Sequence, residues 1–491
     1  MANALVSNPF VTWLCLLSSI LLSSLHVFAQ ASSFWLLSLL PFISLAPFFA
    51  VIGKRSQKTI LSMYLFSFIT MAGIGILNAV RYHIGISYGL VGGAFGGLLF
   101  PTLLIPVWFV SDNALMRGGA VVCAWTTIEF CLASVFGTVM TLPIQLYRIP
   151  YLLQPISLFG AMSADALLVA SNWLVGTAVS AKGSKRRHAV LIWIALLGSW
   201  TLLSSFCLWS LASEESATVR VSTISPGRRF NGNLDDIVNM TVTAYEEGAQ
   251  YIVWPEVYVH LDRMEETCEN YVRSKIVPKL YPRIESYLVV GCEQAYMNST
   301  CPVGNIAVTI DPKGKILGTY GKEHPVTMIG EQSCFRNGYK TYDTPGLSFS
   351  TLICYDIDFE DSTAIVSDLG ASLILNPSED WSAARTHFAA SVFRAIENRV
   401  AIVKSDWGWD SAIISPTGEV VAMFNSKSLH REILTANVSV YPHSSGGWNR
   451  IRLNVFPVAC IIILGALLVR SLKVLRADSS RGSNLETRLL Y

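Results

Sequence analysis

The chain has 491 residues, 52% of them hydrophobic and 14% charged, with a formal net charge of +2. That length exceeds one small domain, the apolar excess argues against a wholly water-soluble protein, and the near balance of charge gives no electrostatic case for nucleic acid. It carries no Gly-rich phosphate loop, His-Glu-x-x-His or paired Cys-x-x-Cys, and its 8 histidines are scattered, so neither a metal nor another cofactor is expected.

No Lys, Arg, Asp or Glu precedes Lys54. A bilayer-spanning helix needs roughly 20 apolar residues. Segments of that quality lie near 9–29, 32–53, 59–79, 87–110, 119–142, 155–180, 189–211 and 453–471. The first ends in Ala29-Gln30-Ala31, which resembles a signal-peptide cleavage site, but it lacks a basic n-region and its length favours a retained helix. With eight spans, three basic clusters fall on one side, the cytosol: Lys54, Arg55 and Lys58; Lys182, Lys185, Arg186 and Arg187; and Arg470, Lys473, Arg476, Arg481 and Arg488. The expected domains are therefore a membrane part over 1–211, an extramembrane domain over 212–450 on the opposite side, an eighth helix over 451–471 and a basic cytosolic tail over 472–491. Glu129 and Asp165 are charges inside spans. The favoured reading for them is a helix–helix hydrogen bond, with Asn172 as a candidate partner.

Residues 215–450 have the composition of a soluble α/β domain. Strands are expected over Thr218–Ile224, Tyr251–Trp254, Tyr287–Gly291, Asn305–Ile310, Ser348–Cys354, Ser372–Asn376, Ala401–Ser405 and Ser411–Ser415, with helices over Asn233–Gly248 and Ser382–Asn398. Alternating strands and helices predict an α/β layered fold. Cys268, Cys292, Cys301, Cys334 and Cys354 fit two disulfides plus one free thiol. Together with sequons at Asn239, Asn298 and Asn437, they favour an oxidising compartment, either a secretory-pathway lumen such as the endoplasmic reticulum or a bacterial periplasm.

Three residues carry the chemistry: Glu256 in Val253-Trp254-Pro255-Glu256, Lys322 in Tyr320-Gly321-Lys322-Glu323-His324, and Cys354 in Leu352-Ile353-Cys354-Tyr355-Asp356. A thiol is mostly protonated at neutral pH, so a nucleophilic cysteine needs a base, here Glu256. Lys322 supplies a cation for thiolate and oxyanion, and the Tyr355 backbone N–H is a second oxyanion donor.

These blocks resemble the nitrilase (carbon–nitrogen hydrolase) superfamily, as do Asn376-Pro377-Ser378-Glu379-Asp380-Trp381, Arg394-Ala395-Ile396-Glu397-Asn398 and the stretch from Ser411 to Gly418. The resemblance implies an α-β-β-α sandwich and the roles of base, oxyanion stabiliser and nucleophile for Glu256, Lys322 and Cys354. The membrane segments make the chain similar to one branch, the apolipoprotein N-acyltransferases, through Trp125, Glu129, Gly137, Pro143, Gln154, Gly160 and Asn172. That branch implies transfer of a fatty acyl group from phospholipid, through a Cys354 thioester, to an amine on a protein or small molecule. The alternative is a membrane-anchored amidase or lipid ester hydrolase. Glu331 resembles the branch's second essential glutamate, and Tyr355 the aromatic beside the nucleophile. The chain departs from the branch in an extra residue between Lys322 and Glu331, and in Asp356 where the branch has Glu. Asp356 reads equally as a structural hydrogen-bond acceptor. His324 is a candidate to position Lys322, and Trp381, Trp407 and Trp409 to line an acyl entrance or pack a core.

Overall fold

In the computed structural model, residues 35–52, 114–138, 141–227, 233–261, 266–298, 301–327, 330–380, 384–407, 410–425, 431–442 and 447–480 are described, with seven single positions between 17 and 76. The expected span near 87–110, almost all of those near 9–29 and 59–79, the basic residues 54–58, and Trp381 and Trp409 lie outside the described residues. The chain divides into two compact units, one of 1–135, 140–206 and 453–491, the other of 136–139 and 207–452.

Among the described residues, four helices are long and apolar enough to cross a bilayer: Ala114–Phe136, Met162–Ser180, Gly183–Ala212 and Trp448–Arg470. At 1.5 Å per residue, a 23-residue helix such as Ala114–Phe136 is ~34 Å long, matching the hydrocarbon thickness. The expected continuous span over 32–53 is instead two pieces, a 3-10 helix Trp35–Phe42 containing Pro41 and a short α-helix Ala46–Ile52. Proline cannot donate a backbone bond, and Asn172 bridges the break. Its Nδ2 donates to the Pro41 and Leu168 carbonyls at 2.7 and 2.8 Å, and its Oδ1 accepts from the Leu45 N–H at 2.7 Å. Those bonds direct the Asn172 amide to backbone rather than to the carboxylates of Glu129 and Asp165.

The second unit contains strands β1 (Ala217–Ser225), β2 (Tyr251–Val253), β3 (Val259–Leu261), β4 (Tyr287–Asn298), β5 (Cys301–Ile310), β6 (Ile316–Gly321), β7 (Thr341–Thr344), β8 (Leu347–Thr351), β9 (Ala371–Ser378), β10 (Ala401–Asp406), β11 (Asp410–Ile414), β12 (Val420–Asn425) and β13 (Glu432–Val440). They form two sheets, β13-β1-β2-β4-β5-β6 with β3 beside β4, and β12-β11-β10-β9-β8-β7. Each has a parallel centre, β1-β2-β4 and β8-β9-β10. Parallel centres are covered on both faces and so read as apolar runs; every residue of β9 is buried. The sheets meet through the Ser405 hydroxyl, which donates to the Ile224 carbonyl at 2.8 Å, and through the Tyr251 and Phe349 rings 5.5 Å apart.

Helices Leu234–Glu246, Glu360–Asp368 and Ala384–Asn398, and the consecutive helical pieces Cys268–Tyr271, Val272–Ile276 and Val277–Leu280, make the crossovers. Asn233 caps the first by accepting from the Asp235 N–H at 3.1 Å. Its inward residues Ile237, Val238, Met240 and Val242 join Trp254, Ile252 and Leu288 in the core. Trp254 is anchored there by its indole N–H, which donates to Thr241 Oγ1 at 2.9 Å. Helices over both sheets make the expected α-β-β-α sandwich. One local expectation fails: β8 stops at Thr351, and Cys354 opens a 3-10 turn, Cys354–Asp358. A cysteine with φ +45° cannot continue a strand.

Candidate active site

In α/β sheets with parallel centres, the carboxyl ends of the strands are where loops gather functional side chains. Glu256 lies three residues beyond β2, Cys354 three beyond β8, Asp380 two beyond β9 and Lys322 directly after β6. The turn carrying Glu256 is tightly built. Val257 has φ +52°, a conformation that costs on the order of 1–3 kcal/mol for such a residue. Gly291 of β4 permits the approach, because a Cβ there would lie 2.1 Å from the Pro255 carbonyl oxygen. The Trp407 indole N–H donates to the Glu256 carbonyl at 2.6 Å, so Trp407 serves this turn.

Lys322 is 2% exposed and Glu256 3%, so solvent hardly screens their interaction. The Lys322 Nζ donates to Glu256 Oε1 at 2.8 Å and to Glu331 Oε2 at 2.9 Å. Asn305 Nδ2 donates to the same two carboxylates, at 2.6 Å to Glu256 and 3.1 Å to Glu331. The Val326 N–H donates to Glu331 Oε2 at 2.7 Å. Burial works against the Lys322 charge, but Glu256, Cys354 and Glu331 outweigh it and raise its pKa well above the ordinary lysine value. Stripping one partner from such a buried pair typically costs ~3–5 kcal/mol.

Asp356 ties the nucleophile turn to the lysine strand. Its Oδ2 accepts from the Tyr320 hydroxyl at 2.8 Å and the Ile353 N–H at 3.0 Å, and its Oδ1 accepts from the His324 N–H at 2.8 Å. These bonds register Lys322 against Cys354. His324 stacks on Phe359 with ring centroids 3.8 Å apart, and so braces the segment beyond Lys322. Asn376 Nδ2 donates to the Leu352 carbonyl at 2.7 Å, fixing the entry to the turn. The Tyr355 hydroxyl donates to the Phe136 carbonyl, from the short stretch 136–139 that belongs to this unit.

Cys354 is buried, and burial pushes its thiol pKa up to about 11; Glu256 adds to the rise, while Lys322 and His387 oppose it. Such a sulfur favours the thiol form. His387 was not legible as a site residue, although it stands seven positions before the fully buried Arg394, two turns along one helix face. Asn305 was equally hidden, as a polar residue inside a strand. Cys354 Sγ, an Asp380 carboxylate oxygen and a His387 ring nitrogen lie within 4.8 Å of one another, a donor set of metal-ligating type. The cluster is also internally paired: Lys404 Nζ donates to Asp380 Oδ2 at 2.7 Å, and His387 Nδ1 pairs with Asp358. In the same unit, Cys268 and Cys292 form a disulfide, and Cys334 is disulfide-bonded too.

Residues 218–441 match the carbon–nitrogen hydrolase family model. Apolipoprotein N-acyltransferase 1 of Treponema pallidum is 31% identical over 140 residues, 27% of this chain and 25% of that one. Apolipoprotein N-acyltransferase 1 of Treponema denticola is 21% identical over 501 residues, 86% of this chain and 89% of that one. Among solved structures, an amidase from Nesterenkonia sp. AN1 aligns with a TM-score of 0.38 at 19% identity, covering 45% of this chain and 90% of that one. Residues 218–441 thus form a carbon–nitrogen hydrolase domain, and the chain is similar to apolipoprotein N-acyltransferases.

Proposed function

We propose that the protein is a membrane N-acyltransferase in which Cys354 carries a fatty acyl group from phospholipid to an amine. Glu256 takes the thiol proton as the sulfur attacks the ester carbonyl. Lys322 and the Tyr355 backbone N–H receive the oxyanion. The C–O bond breaks, and Glu256 returns the proton to the departing lysophospholipid alcohol. An amine then attacks the thioester and gives its proton to Glu256. The C–N bond forms, the C–S bond breaks, and the proton returns to sulfur. Glu331 holds Lys322 in place, and Asp356 and Tyr355 position the nucleophile turn.

The observation that carries this reading is a buried lysine joined to two carboxylates beside a buried thiol, in a chain whose described residues also include four membrane-length apolar helices. A diacyl lipid reaches such a site by lateral diffusion, and a dry site slows loss of the thioester to water. The relatedness to apolipoprotein N-acyltransferases, which in one case runs over 86% of the chain, supports transfer above hydrolysis. On this reading 1–211 and 451–471 form the membrane part, 212–450 the catalytic part outside the cytosol, and 472–491 a cytosolic tail. The disulfides support the oxidising side of a membrane for the catalytic part.

The test is incubation of purified protein with phospholipid labelled in its acyl chain, with and without an added amine. Label on the amine supports transfer. Release only as free fatty acid assigns the hydrolase alternative, and no turnover of lipid overturns both.

A further inference from the structure

Beyond the residues that hold Lys322, the Cys354 sulfur meets a second set of charged groups, from other elements. His387, on the helix Ala384–Asn398, is buried, and so are Asp358, Asp380, Lys404 and Asp406. His387 Nδ1 pairs with Asp358 on the nucleophile turn. Its Nε2 completes no hydrogen bond, with Asp380 Oδ1, just beyond β9, 3.3 Å away. Asp380 is itself neutralised by Lys404 of β10, whose Nζ also donates to Asp406 Oδ2 at 3.0 Å. The groups facing His387 are therefore Asp358, Asp380 and the Cys354 sulfur, with Lys404 one step behind Asp380.

This arrangement is not explained by packing. A buried imidazole that served only to satisfy Asp358 would leave its second nitrogen against apolar atoms. Here the imidazole also offers a ring nitrogen to a group of three donor atoms, Cys354 Sγ and an Asp380 oxygen among them, all within 4.8 Å of one another. Asp358 is in turn fixed from the stretch 136–139. The Thr138 hydroxyl donates to the Asp358 carbonyl at 3.1 Å, and Gly137, at φ +68°, fits because a Cβ there would lie 2.7 Å from Asp358 Cβ.

We propose that His387, oriented by Asp358, is a second cation on the Cys354 sulfur and stabilises the thiolate that leaves when the acyl group passes to its acceptor. Burial disfavours the charged imidazole, but Asp358 and Asp380 outweigh burial and raise its pKa well above the ordinary histidine value. An imidazolium lowers the basicity of the sulfur, and a less basic thiolate is a better leaving group. No proton moves to or from His387: as the C–S bond breaks, the electron pair stays on sulfur beside the cation. Lys322 serves the oxyanion and His387 serves the sulfur.

The acyl-transfer part of this inference rests on the function proposed above; the electrostatic part does not, and the experiment separates them. Alkylation of Cys354 by iodoacetamide at about pH 8, followed on the Cys354 peptide by mass spectrometry, reads the thiolate population in the absence of any lipid. His387→Gln lowers that rate at least about tenfold, one unit of thiol pKa. Asp358→Asn, which keeps an acceptor for Nδ1 but removes its charge, lowers it in the same direction by less and decides the matter if the first variant does not fold. With labelled phospholipid and amine, His387→Gln accumulates acylated Cys354, because transfer slows more than loading. Alkylation matching the wild type in the folded variants overturns the proposal, whatever the lipid result. Slower alkylation with no acyl adduct in either protein upholds the cation on sulfur and overturns the acyltransferase reading instead.

Discussion

Glu331→Gln probes the lysine clamp without changing its shape. Glu331 accepts from three donors: Lys322 Nζ at 2.9 Å and the Val326 N–H at 2.7 Å on one oxygen, and Asn305 Nδ2 at 3.1 Å on the other. A glutamine offers one oxygen, so its amide nitrogen must face a donor on one side. The charge-assisted bond from Lys322 is the largest loss, about 1.5–3 kcal/mol. The Glu331 side chain is 20% exposed, so water replaces part of the lost bond and the lower half of that range applies. At 1.36 kcal/mol per decade, acylation of Cys354 slows by roughly 13- to 45-fold. Single-turnover formation of the acyl-enzyme, followed by intact-protein mass spectrometry after mixing with phospholipid in micelles, measures that rate. A folded Glu331→Gln protein acylated within twofold of the wild-type rate would refute the argument that this carboxylate sets Lys322.

Other substitutions test separate parts of the structure. Glu256→Gln removes the anion that helps to raise the Cys354 pKa to about 11, so the thiolate fraction at fixed pH rises. Alkylation of Cys354 then speeds up while acyl transfer collapses; slower alkylation would contradict the assigned geometry. Gly291→Ala places a Cβ against the Pro255 carbonyl, where backbone cannot yield, and lowers stability by about 1–3 kcal/mol as well as activity. Thermal unfolding and turnover measured together check it, and an unchanged pair of values would show that β4 does not press on the Glu256 turn. Cys268→Ser opens the bond to Cys292 across a separation of 24 residues, and chain entropy sets the loss at about 3.5 kcal/mol. Denaturant titration of the oxidised wild type against the variant reads that difference, with no shift in midpoint as the contrary result.

The parts of this fold that were legible in the sequence are those whose burial is two-sided. β9 and β10 are wholly buried, and their apolar runs announce parallel strands. The motif residues stood out because strand ends in such a fold put polar groups immediately after apolar runs, as in Trp254-Pro255-Glu256. β13 was not legible: Glu432–Val440 is an edge strand, mostly half-exposed, with no run to mark it, although it pairs along all nine residues of β1. β6 carries glycines at 318 and 321 that dilute its strand signal. Within the site, Asn305 and His387 escaped because their importance lies in what they face, and facing is set by pairing between strands and helices far apart in sequence. The bond from Thr138 to Asp358 spans 220 residues and leaves no local trace at either end.

The most direct measurement is a mass spectrum of the Cys354 peptide after the purified protein has been mixed with a phospholipid of known acyl chains and quenched in acid. The expected spectrum shows a mass increase of one acyl chain on Cys354, removed by hydroxylamine, missing in Cys354→Ala, and discharged onto an added amine with formation of an amide. An unmodified Cys354 peptide from folded protein in lipid, with the amine acylated none the less, would contradict it.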